Sequence, residues 1–264
     1  MSIIDVLIAA ALVGGIGLII GAALGLAGRV LEVEIDKKEI AIREQLPGNN
    51  CGGCGYAGCD ALARAIATKD APVTGCPVGG VDVANAIGEI MGETAEIVKY
   101  TAFVKCCGNL DVTEAKFRYV GPMNCKEAAV VSHGNKSCIY GCLGYGSCVT
   151  VCEFDARHVE NGIAVVDKDN CVACGKCVSQ CPKHLIELVP YESNVRVACS
   201  SKDKGKDVKE ACKLGCIGCK LCEKVCENDA IHVENNIAHI DYDKCTKCGK
   251  CVEKCPAKII EVQQ

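Results

Sequence analysis

Cysteine dominates the chemistry available to this chain, and its cysteines follow a repeated pattern. There are 25 of them in 264 residues. Runs in which two residues separate successive cysteines bring several thiolates to one point, as the ligands of an iron–sulfur cluster require. Eight cysteines recur at a constant offset of 74 residues: Cys138, Cys142, Cys148, Cys152, Cys171, Cys174, Cys177 and Cys181 match Cys212, Cys216, Cys222, Cys226, Cys245, Cys248, Cys251 and Cys255. The repeat predicts two segments that each hold two four-iron clusters.

Two other uses of cysteine fit this spacing less well. Disulfides belong to oxidising compartments, and three sulfurs within one tight turn are too close together to pair usefully. Structural zinc prefers two separated pairs of cysteines, whereas here a third cysteine follows at the same step and Cys181 and Cys255 precede proline. The pattern therefore favours iron–sulfur ligands in a reducing compartment.

The predicted ligand sets follow from a rule of two-cluster ferredoxins, in which the fourth cysteine of each run ligates the other cluster. The second copy fills every position of this pattern. Its two sets are Cys216, Cys219, Cys222 and Cys255, and Cys226, Cys245, Cys248 and Cys251. The first copy has one complete set, Cys152, Cys171, Cys174 and Cys177.

The other set of the first copy is incomplete. It contains Cys142, Cys148 and Cys181, but Tyr145 stands where the second copy has a cysteine. A fourth thiolate must come from elsewhere, or the site holds a three-iron cluster. We expect Cys138 to complete the set because it lies four residues before Cys142.

A separate motif near the amino terminus predicts a fifth cluster. Its ligands would be Cys51, Cys54, Cys59 and Cys76, in the sequence NNCGGCGYAGC followed by a closing Cys-Pro. Glycines between these cysteines let the backbone bend tightly around a ligand. We therefore expect five four-iron clusters.

Five cysteines remain outside these sets. The 74-residue offset also relates Cys125 to Cys199 and Cys138 to Cys212. They are either spare buried thiols or ligands of a sixth cluster across the two halves, and the sequence leaves both alternatives open. The possible extra ligands are Cys106, Cys107, Cys125, Cys199 and Cys212.

An uncharged stretch precedes all the cysteines. Residues 6–27 contain no charged side chain, which predicts one transmembrane helix. Asp5 is the only charged residue before the stretch, and basic residues follow it. The positive-inside rule therefore predicts a single-pass protein of the cell membrane whose cluster-bearing part lies in the cytoplasm. Gly17, Gly21 and Gly25 share one helix face, which favours close approach of a partner helix.

The positions of these elements predict an α+β protein. It would contain an N-terminal transmembrane helix, a small, mostly helical 4Fe-4S domain, and a duplicated two-cluster ferredoxin-like module. Asn161-Gly162, with its counterpart in the second copy, predicts a hairpin in each module. His158 and His232 in these hairpins are expected to be surface residues. The expected boundaries are a transmembrane anchor at 1–28, a charged stalk at 29–46, the N-terminal 4Fe-4S domain at 47–100, a connector at 101–124, and the two modules at 125–190 and 191–264.

Charge narrows the choice of partners. The formal net charge is −4 before any cluster is counted, so nucleic-acid binding, which needs a basic face, is not expected. Lysines 202, 204, 206, 209 and 213 form a basic segment that is either a solvated loop or a docking site for an acidic ferredoxin.

Glu153 and Glu227 replace the usual proline after a cysteine run, and an ionised carboxylate there would lower a cluster's potential.

The order of these motifs resembles the B subunit of the Rnf complex over essentially the full length. The motifs are the uncharged stretch, NCGGCGYAGC, CIYGCLGYGSCVTVC and GCIGCKLCEKVC. The resemblance implies an electron-transfer subunit, without an acid–base site, of an ion-translocating ferredoxin:NAD oxidoreductase. It implies soluble ferredoxin as donor, other membrane and peripheral subunits and the lipid bilayer as partners, and Na⁺ or H⁺ as the coupling ion. The alternatives are a ferredoxin-like subunit of another membrane oxidoreductase, such as a hydrogenase or quinone reductase, and a cluster sensor or assembly scaffold.

Overall fold

The structure, a computed structural model, describes residues 3–30, 36–94 and 98–262. Helices and strands are both present, as the α+β prediction requires. The helices are α1 (Ile3–Val30), α2 (Lys37–Gln45), α3 (Cys59–Ala67), α4 (Gly80–Met91), α5 (Cys125–Val130), α6 (Lys176–Gln180), α7 (Gly205–Ala211), α8 (Leu221–Val225) and α9 (Lys250–Lys254). The strands are β1 (Tyr100–Val104), β2 (Arg157–Glu160), β3 (Ile163–Val166), β4 (Ile186–Pro190), β5 (Val195–Val197), β6 (Ile231–Glu234), β7 (Ile237–Ile240) and β8 (Ile260–Val262).

The uncharged stretch forms the 28-residue helix α1. Within the ranges that the structure describes, however, no helix has both the length and the apolar character that a membrane crossing demands. The predicted transmembrane helix is therefore wrong, and the single-pass arrangement drawn from it has no support in the described residues. That prediction rested on the absence of charged side chains over residues 6–27, which is only one of the requirements for a membrane-spanning helix.

Three helices build the N-terminal domain around a small apolar core. Ile42 of α2 is fully buried with Leu62 and Ile66 of α3 and Ile87 of α4. An ion pair between Arg43 and Asp60, with 2.7 Å between Nε and Oδ1, and another between Arg64 and Glu39 join α2 to α3. The segment expected to be a charged stalk thus includes a helix that packs on the domain that follows it.

The two modules share one design. The hairpin β2–β3 closes on Asn161-Gly162 and β6–β7 on Asn235-Asn236, with all four residues at positive φ, so the predicted hairpins are confirmed. A second antiparallel pair completes each module, β1 with β4 in the first and β5 with β8 in the second. β1, which runs from the last residue of the expected N-terminal domain into the expected connector, thus pairs with a strand of the first module.

A small apolar cluster joins the modules. Phe103 of β1, Val189 of β4 and Ala198 after β5 are buried together. The Cys107 amide donates to the Ala198 carbonyl at 3.0 Å, and Ser200 Oγ donates to the Lys105 carbonyl at 3.0 Å. These contacts hold the segment after β1 against the segment after β5.

One glycine shows how closely the backbone packs within a module. A Cβ on Gly144, which has φ +76°, would lie 2.3 Å from the Gly162 carbonyl oxygen of the hairpin turn. Gly92 has a similar φ of +72° but open space around it. Gly144→Ala should therefore combine backbone strain with a clash, about 3 kcal/mol in all, whereas Gly92→Ala should cost about 1 kcal/mol. Anaerobic thermal unfolding measures the difference, and equal shifts in Tm for the two variants would contradict this packing.

Candidate iron–sulfur centres

The second module brings its eight predicted ligands together in two groups. One cavity of about 330 Å³ is lined by Cys216, Cys219, Cys222 and Cys255, and another of about 370 Å³ by Cys226, Cys245, Cys248 and Cys251. Each group combines three cysteines of one run with the last cysteine of the other. The runs wrap around the cavities because Gly218 and Gly249 take left-handed conformations with φ of +65° and +76°.

The first module repeats the second of these cavities. Cys152, Cys171, Cys174 and Cys177 line a space of about 330 Å³. The Ala102 amide of β1 donates to Cys171 Sγ at 3.3 Å. Backbone N–H groups aimed at sulfur stabilise thiolate ligands, so this donor set suits an iron–sulfur cluster.

The incomplete set of the first module lies in one buried cluster, but without Cys138. Cys142, Cys148 and Cys181 pack in the same apolar core. Amides of Ala164 and Leu185 donate to Cys142 Sγ at 3.4 Å and to Cys181 Sγ at 3.5 Å. Tyr145 instead packs on the ring of Tyr119, with 5.4 Å between centroids.

Cys138 faces a fourth cavity, of about 420 Å³, between the two modules. Four of the cysteines outside the regular spacing line it as well, and Cys125 does not. The cavity is lined by Cys106, Cys107, Cys138, Cys199 and Cys212.

Three of the four predicted ligands of the N-terminal motif pack together in one apolar cluster, which does not include Cys51. Cys54 and Cys76 pack beside the buried Cys59. Asn50 Oδ1 accepts the Cys59 amide at 2.8 Å and fixes the loop at the start of α3. Burial raises the pKa of the Cys76 thiol, and the amides of Gly79 and Val78 oppose that rise.

The N-terminal motif touches the first module through one glycine. A Cβ on Gly53 would lie only 3.0 Å from the Cys174 Cβ and 3.3 Å from its carbonyl oxygen. Gly53 lies between Cys51 and Cys54, and Cys174 belongs to a complete set of the first module. The absence of a side chain at Gly53 therefore sets how closely the two cysteine sets approach.

The spacing of the thiols distinguishes a cluster from a single ion. Over the described part of the chain, no three Cys, His, Asp or Glu side chains converge closely enough to hold one metal ion. The ligands of a four-iron cluster each bind a different iron and stand farther apart than those of one zinc ion. Cavities lined by four cysteines fit the larger group.

A buried arginine separates two cysteine sets of the first module. Arg157 is only 2% exposed, and its two terminal nitrogens have no oxygen or nitrogen partner within the described ranges. Its charge faces the thiols of Cys148 and Cys177, where it opposes the rise in their pKa caused by burial. The equivalent residue in the second module is Ile231. Arg157 was not predicted from the sequence, although this break in the repeat signals it.

The two glutamates after the cysteine runs form ion pairs. Glu153 binds Lys176, and Glu227 binds Lys250, with the same spacing in both modules. The hydrogen bond from Lys250 lowers the pKa of Glu227. Each carboxylate is thus paired with a neighbouring ammonium, which weakens the influence on potential expected from the sequence.

Arg157 should raise the reduction potentials of the first module because a buried positive charge stabilises the more negative, reduced cluster. A unit charge about 8 Å away at an effective dielectric constant near 20 contributes about 2 kcal/mol, on the order of 100 mV for one electron. Arg157→Met should lower the potentials by that amount in an EPR-monitored redox titration.

Two controls accompany this measurement. Arg157→Lys keeps the charge and should keep the potentials, and Ile231→Met makes the matching change in the second module without removing a charge. Equal potentials in Arg157→Met and the unmodified chain would contradict the role assigned to the guanidinium.

Comparisons with known proteins agree with these cavities. Residues 46–78 match the family described as "Putative Fe-S cluster", residues 164–187 the "4Fe-4S binding domain", and residues 215–259 the "4Fe-4S dicluster domain". These segments contain the N-terminal motif, the second run of the first module and both runs of the second. They do not contain the cysteines that line the cavity between the modules.

Three relatives match nearly the whole chain. The B subunit of the Na⁺-translocating ferredoxin:NAD⁺ oxidoreductase complex of Acetobacterium woodii is 48% identical over 97% of this chain and 77% of its own length. The B subunit of the ion-translocating oxidoreductase complex of Methanosarcina acetivorans is 44% identical over 96% and 97%. The B subunit of the proton-translocating ferredoxin:NAD⁺ oxidoreductase complex of Clostridium ljungdahlii is 38% identical over 93% and 88%. The chain therefore belongs to the Rnf family of B subunits of ion-translocating oxidoreductase complexes.

Proposed function

We propose that this chain carries electrons from a soluble reduced ferredoxin to other subunits of an ion-translocating ferredoxin:NAD⁺ oxidoreductase. Each four-iron cluster, when bound, supplies reversible one-electron chemistry. The chain's own residues hold the clusters, set their spacing and tune their potentials. The cysteine sets predicted from the sequence are the proposed ligands, apart from the fourth ligand of the set around Cys142.

The contact between Gly53 and Cys174 carries this proposal. It joins the N-terminal cysteine set to the first module, so the chain offers a path between its two ends instead of isolated sites. A path of this kind suits a relay. A scaffold that releases clusters has no need for such an approach.

Exposure supports entry at the second module. All 25 cysteines lie in the described ranges, and of these only Cys219 and Cys248 are exposed. Both belong to the second module, one in each of its cysteine sets. A soluble donor therefore approaches a cluster most closely there.

Buried positive charge supports electron transfer from the second module to the first. Arg157 lies in the first module, and so does Lys136, which is 2% exposed. Their counterparts in the second module are Ile231 and the exposed Glu210. Because buried cations raise potentials, the first module attracts electrons that enter at the second.

The proposed partner subunits place the chain at a membrane. Translocation of an ion requires a membrane, and the names of the relatives describe translocating complexes. We place the chain at that membrane through the other subunits, on the cytoplasmic side, where thiols remain reduced. A partner for the face of Gly17, Gly21 and Gly25 stays a prediction.

Enlarging Gly53 tests the relay. Gly53→Val should force the N-terminal set away from Cys174 and slow electron transfer from reduced ferredoxin to NAD⁺ at least tenfold in the purified complex. Gly53→Ala should have a smaller effect, since the neighbours need to move only a few tenths of an ångström. Iron content per chain serves as the control for intact clusters. An unchanged rate in Gly53→Val with full iron content would overturn the proposed path.

The basic segment provides a second test, of ferredoxin docking. Its five lysines are exposed and stand among three carboxylates, those of Asp203, Asp207 and Glu210. The segment adjoins the second module's entry because Gly205 packs against Ile217, two residues from Cys219. Lys206→Glu with Lys209→Glu should slow reduction of the chain by ferredoxin about tenfold at low salt and flatten its salt dependence.

The matched control reverses the same number of charges elsewhere. Lys37→Glu with Lys38→Glu alters two exposed lysines of the N-terminal domain and should leave the stopped-flow rate nearly unchanged. Equal rates for both double variants would show that the basic segment is an ordinary solvated surface.

A further inference from the structure

The cavity between the modules is lined by five cysteines, which is more than we would expect if they were unrelated buried thiols. Each of three other cavities is lined by the four cysteines of one complete set. The cavity between the modules is bounded by the segment after β1 on one side and by the segments around α7 on the other. No matched family segment contains these cysteines.

The strand registers show which of these cysteines are equivalent. Val104 of β1 pairs with Ile186, and Val197 of β5 pairs with Ile260, which lies 74 residues after Ile186. Cys106 follows Val104 by two residues, and Cys199 follows Val197 by two residues. Cys106 is therefore the counterpart of Cys199, and the relation of Cys125 to Cys199 expected from the constant offset is a coincidence of spacing.

The same alignment separates one cysteine from the other four. Cys138 and Cys212 are related by the 74-residue offset, so the cavity has two symmetric pairs. Cys107 instead aligns with Ser200. Four thiols thus obey the internal symmetry, and Cys107 does not.

Backbone amides point at the symmetric thiols as they do in the other sets. The Cys142 amide donates to Cys106 Sγ at 3.3 Å, and its counterpart, the Cys216 amide, donates to Cys199 Sγ at 3.4 Å. The Gly108 amide adds a donor to Cys106 Sγ at 3.4 Å. Cys212 Sγ, as a thiol, donates to the Leu214 carbonyl at 2.8 Å, a contact that it must leave to bind iron.

Gly108 shows that thiols from the two halves meet. A Cβ on Gly108 would lie 3.5 Å from Cys106 Sγ and 3.7 Å from Cys212 Sγ. The absence of a side chain keeps the space between these two sulfurs open.

A buried cation marks the cavity as a place for an anion. Lys136 lines it, and its Nζ donates to the carbonyls of Gly108 and Gly162 at 2.8 and 2.7 Å. Among the described residues, no carboxylate pairs with it. A buried ammonium needs a negative partner, and a four-iron cluster with four thiolates carries a net charge of about −2.

Cys125 lies where the first module lacks a ligand. Its amide donates to Ser147 Oγ at 2.7 Å, which holds it beside the next residue, Cys148. Its thiol lies close enough to Tyr145 and Cys148 to influence both electrostatically. Cys125 is thus the candidate for the missing fourth ligand, and Cys138 faces the central cavity instead.

We propose that Cys106, Cys138, Cys199 and Cys212 hold a sixth four-iron cluster between the modules, and that Cys125 completes the set of Cys142, Cys148 and Cys181. Each thiol releases its proton as its sulfur binds one iron. Six sets of four account for 24 of the 25 cysteines, and Cys107 alone stays a thiol. This assignment replaces Cys138 in the set expected from the sequence.

The sixth site would link the two modules. Two of its proposed ligands accept hydrogen bonds from the backbone amides of Cys142 in one module and Cys216 in the other. Cys142 and Cys216 each belong to a neighbouring cysteine set. This linking role rests on the proposed function, whereas the existence of the site does not.

Iron and sulfide analysis of the full chain, purified anaerobically, tests the site itself. The unmodified chain should contain about 24 irons. Cys106→Ala and Cys199→Ala should each lose about four irons and keep about 20, which also shows that the remaining protein is folded. Cys107→Ala is the matched control and should lose none. Full iron content in Cys199→Ala, or an equal loss in Cys107→Ala, would overturn the proposal.

A double variant decides where Cys138 belongs. If Cys106 and Cys138 bind the same cluster, Cys106→Ala with Cys138→Ala should lose no more iron than Cys106→Ala alone. A loss of about eight irons would place Cys138 in the set around Cys142. Cys125→Ala should likewise lose about four irons and remove one cluster's EPR signal, and full iron content with an unaltered spectrum would contradict the role of Cys125.

The rate of electron transfer in the complex then tests whether electrons pass through the sixth cluster, separately from whether the cluster exists. Cys199→Ala should slow ferredoxin-dependent NAD⁺ reduction at least tenfold, because the second module loses its connection to the first. A loss of four irons without a loss of rate would keep the sixth site and reject the path through it.

Discussion

The structure depends on one constraint, the convergence of thiols from distant parts of the chain around small cavities. In the second module each cavity takes three cysteines from one run and its last from the other. Neither run can complete a site alone, so the two runs and the hairpin between them must fold together. The left-handed turns at Gly218 and Gly249 and the amide donors to sulfur follow from the same requirement.

Much of the local structure could be predicted because it depends on residues close in sequence. The Asn161-Gly162 turn and its counterpart specify hairpins, and two-residue spacing specifies cysteine turns. Long-range relations were harder to predict. The first copy carries extra residues between Cys106 and Cys138, so a constant offset assigned Cys125 to Cys199, and only the strand registers reveal the equivalence of Cys106.

The N-terminal part shows a different limit of prediction from sequence. A run without charge correctly indicated that residues 6–27 lie in a helix, but it did not correctly indicate a membrane-spanning one. The charged stretch that follows was expected to be solvated. Instead Ile42 is completely buried and Arg43 pairs with Asp60, because tertiary packing can use a single apolar residue in an otherwise polar helix.

Duplication gives two modules with the same fold, and the residues that differ between them make the modules unequal in exposure and in buried charge. Cys219 is exposed in the second module, whereas its counterpart in the first is Tyr145, stacked on Tyr119. Arg157 and Lys136 place two buried cations in the first module, where the second has an isoleucine and an exposed glutamate. An identical pair of modules would share electrons equally. Because the accessible thiols lie in one module and the buried positive charges in the other, the proposed relay has electrons enter at the second module and leave through the first.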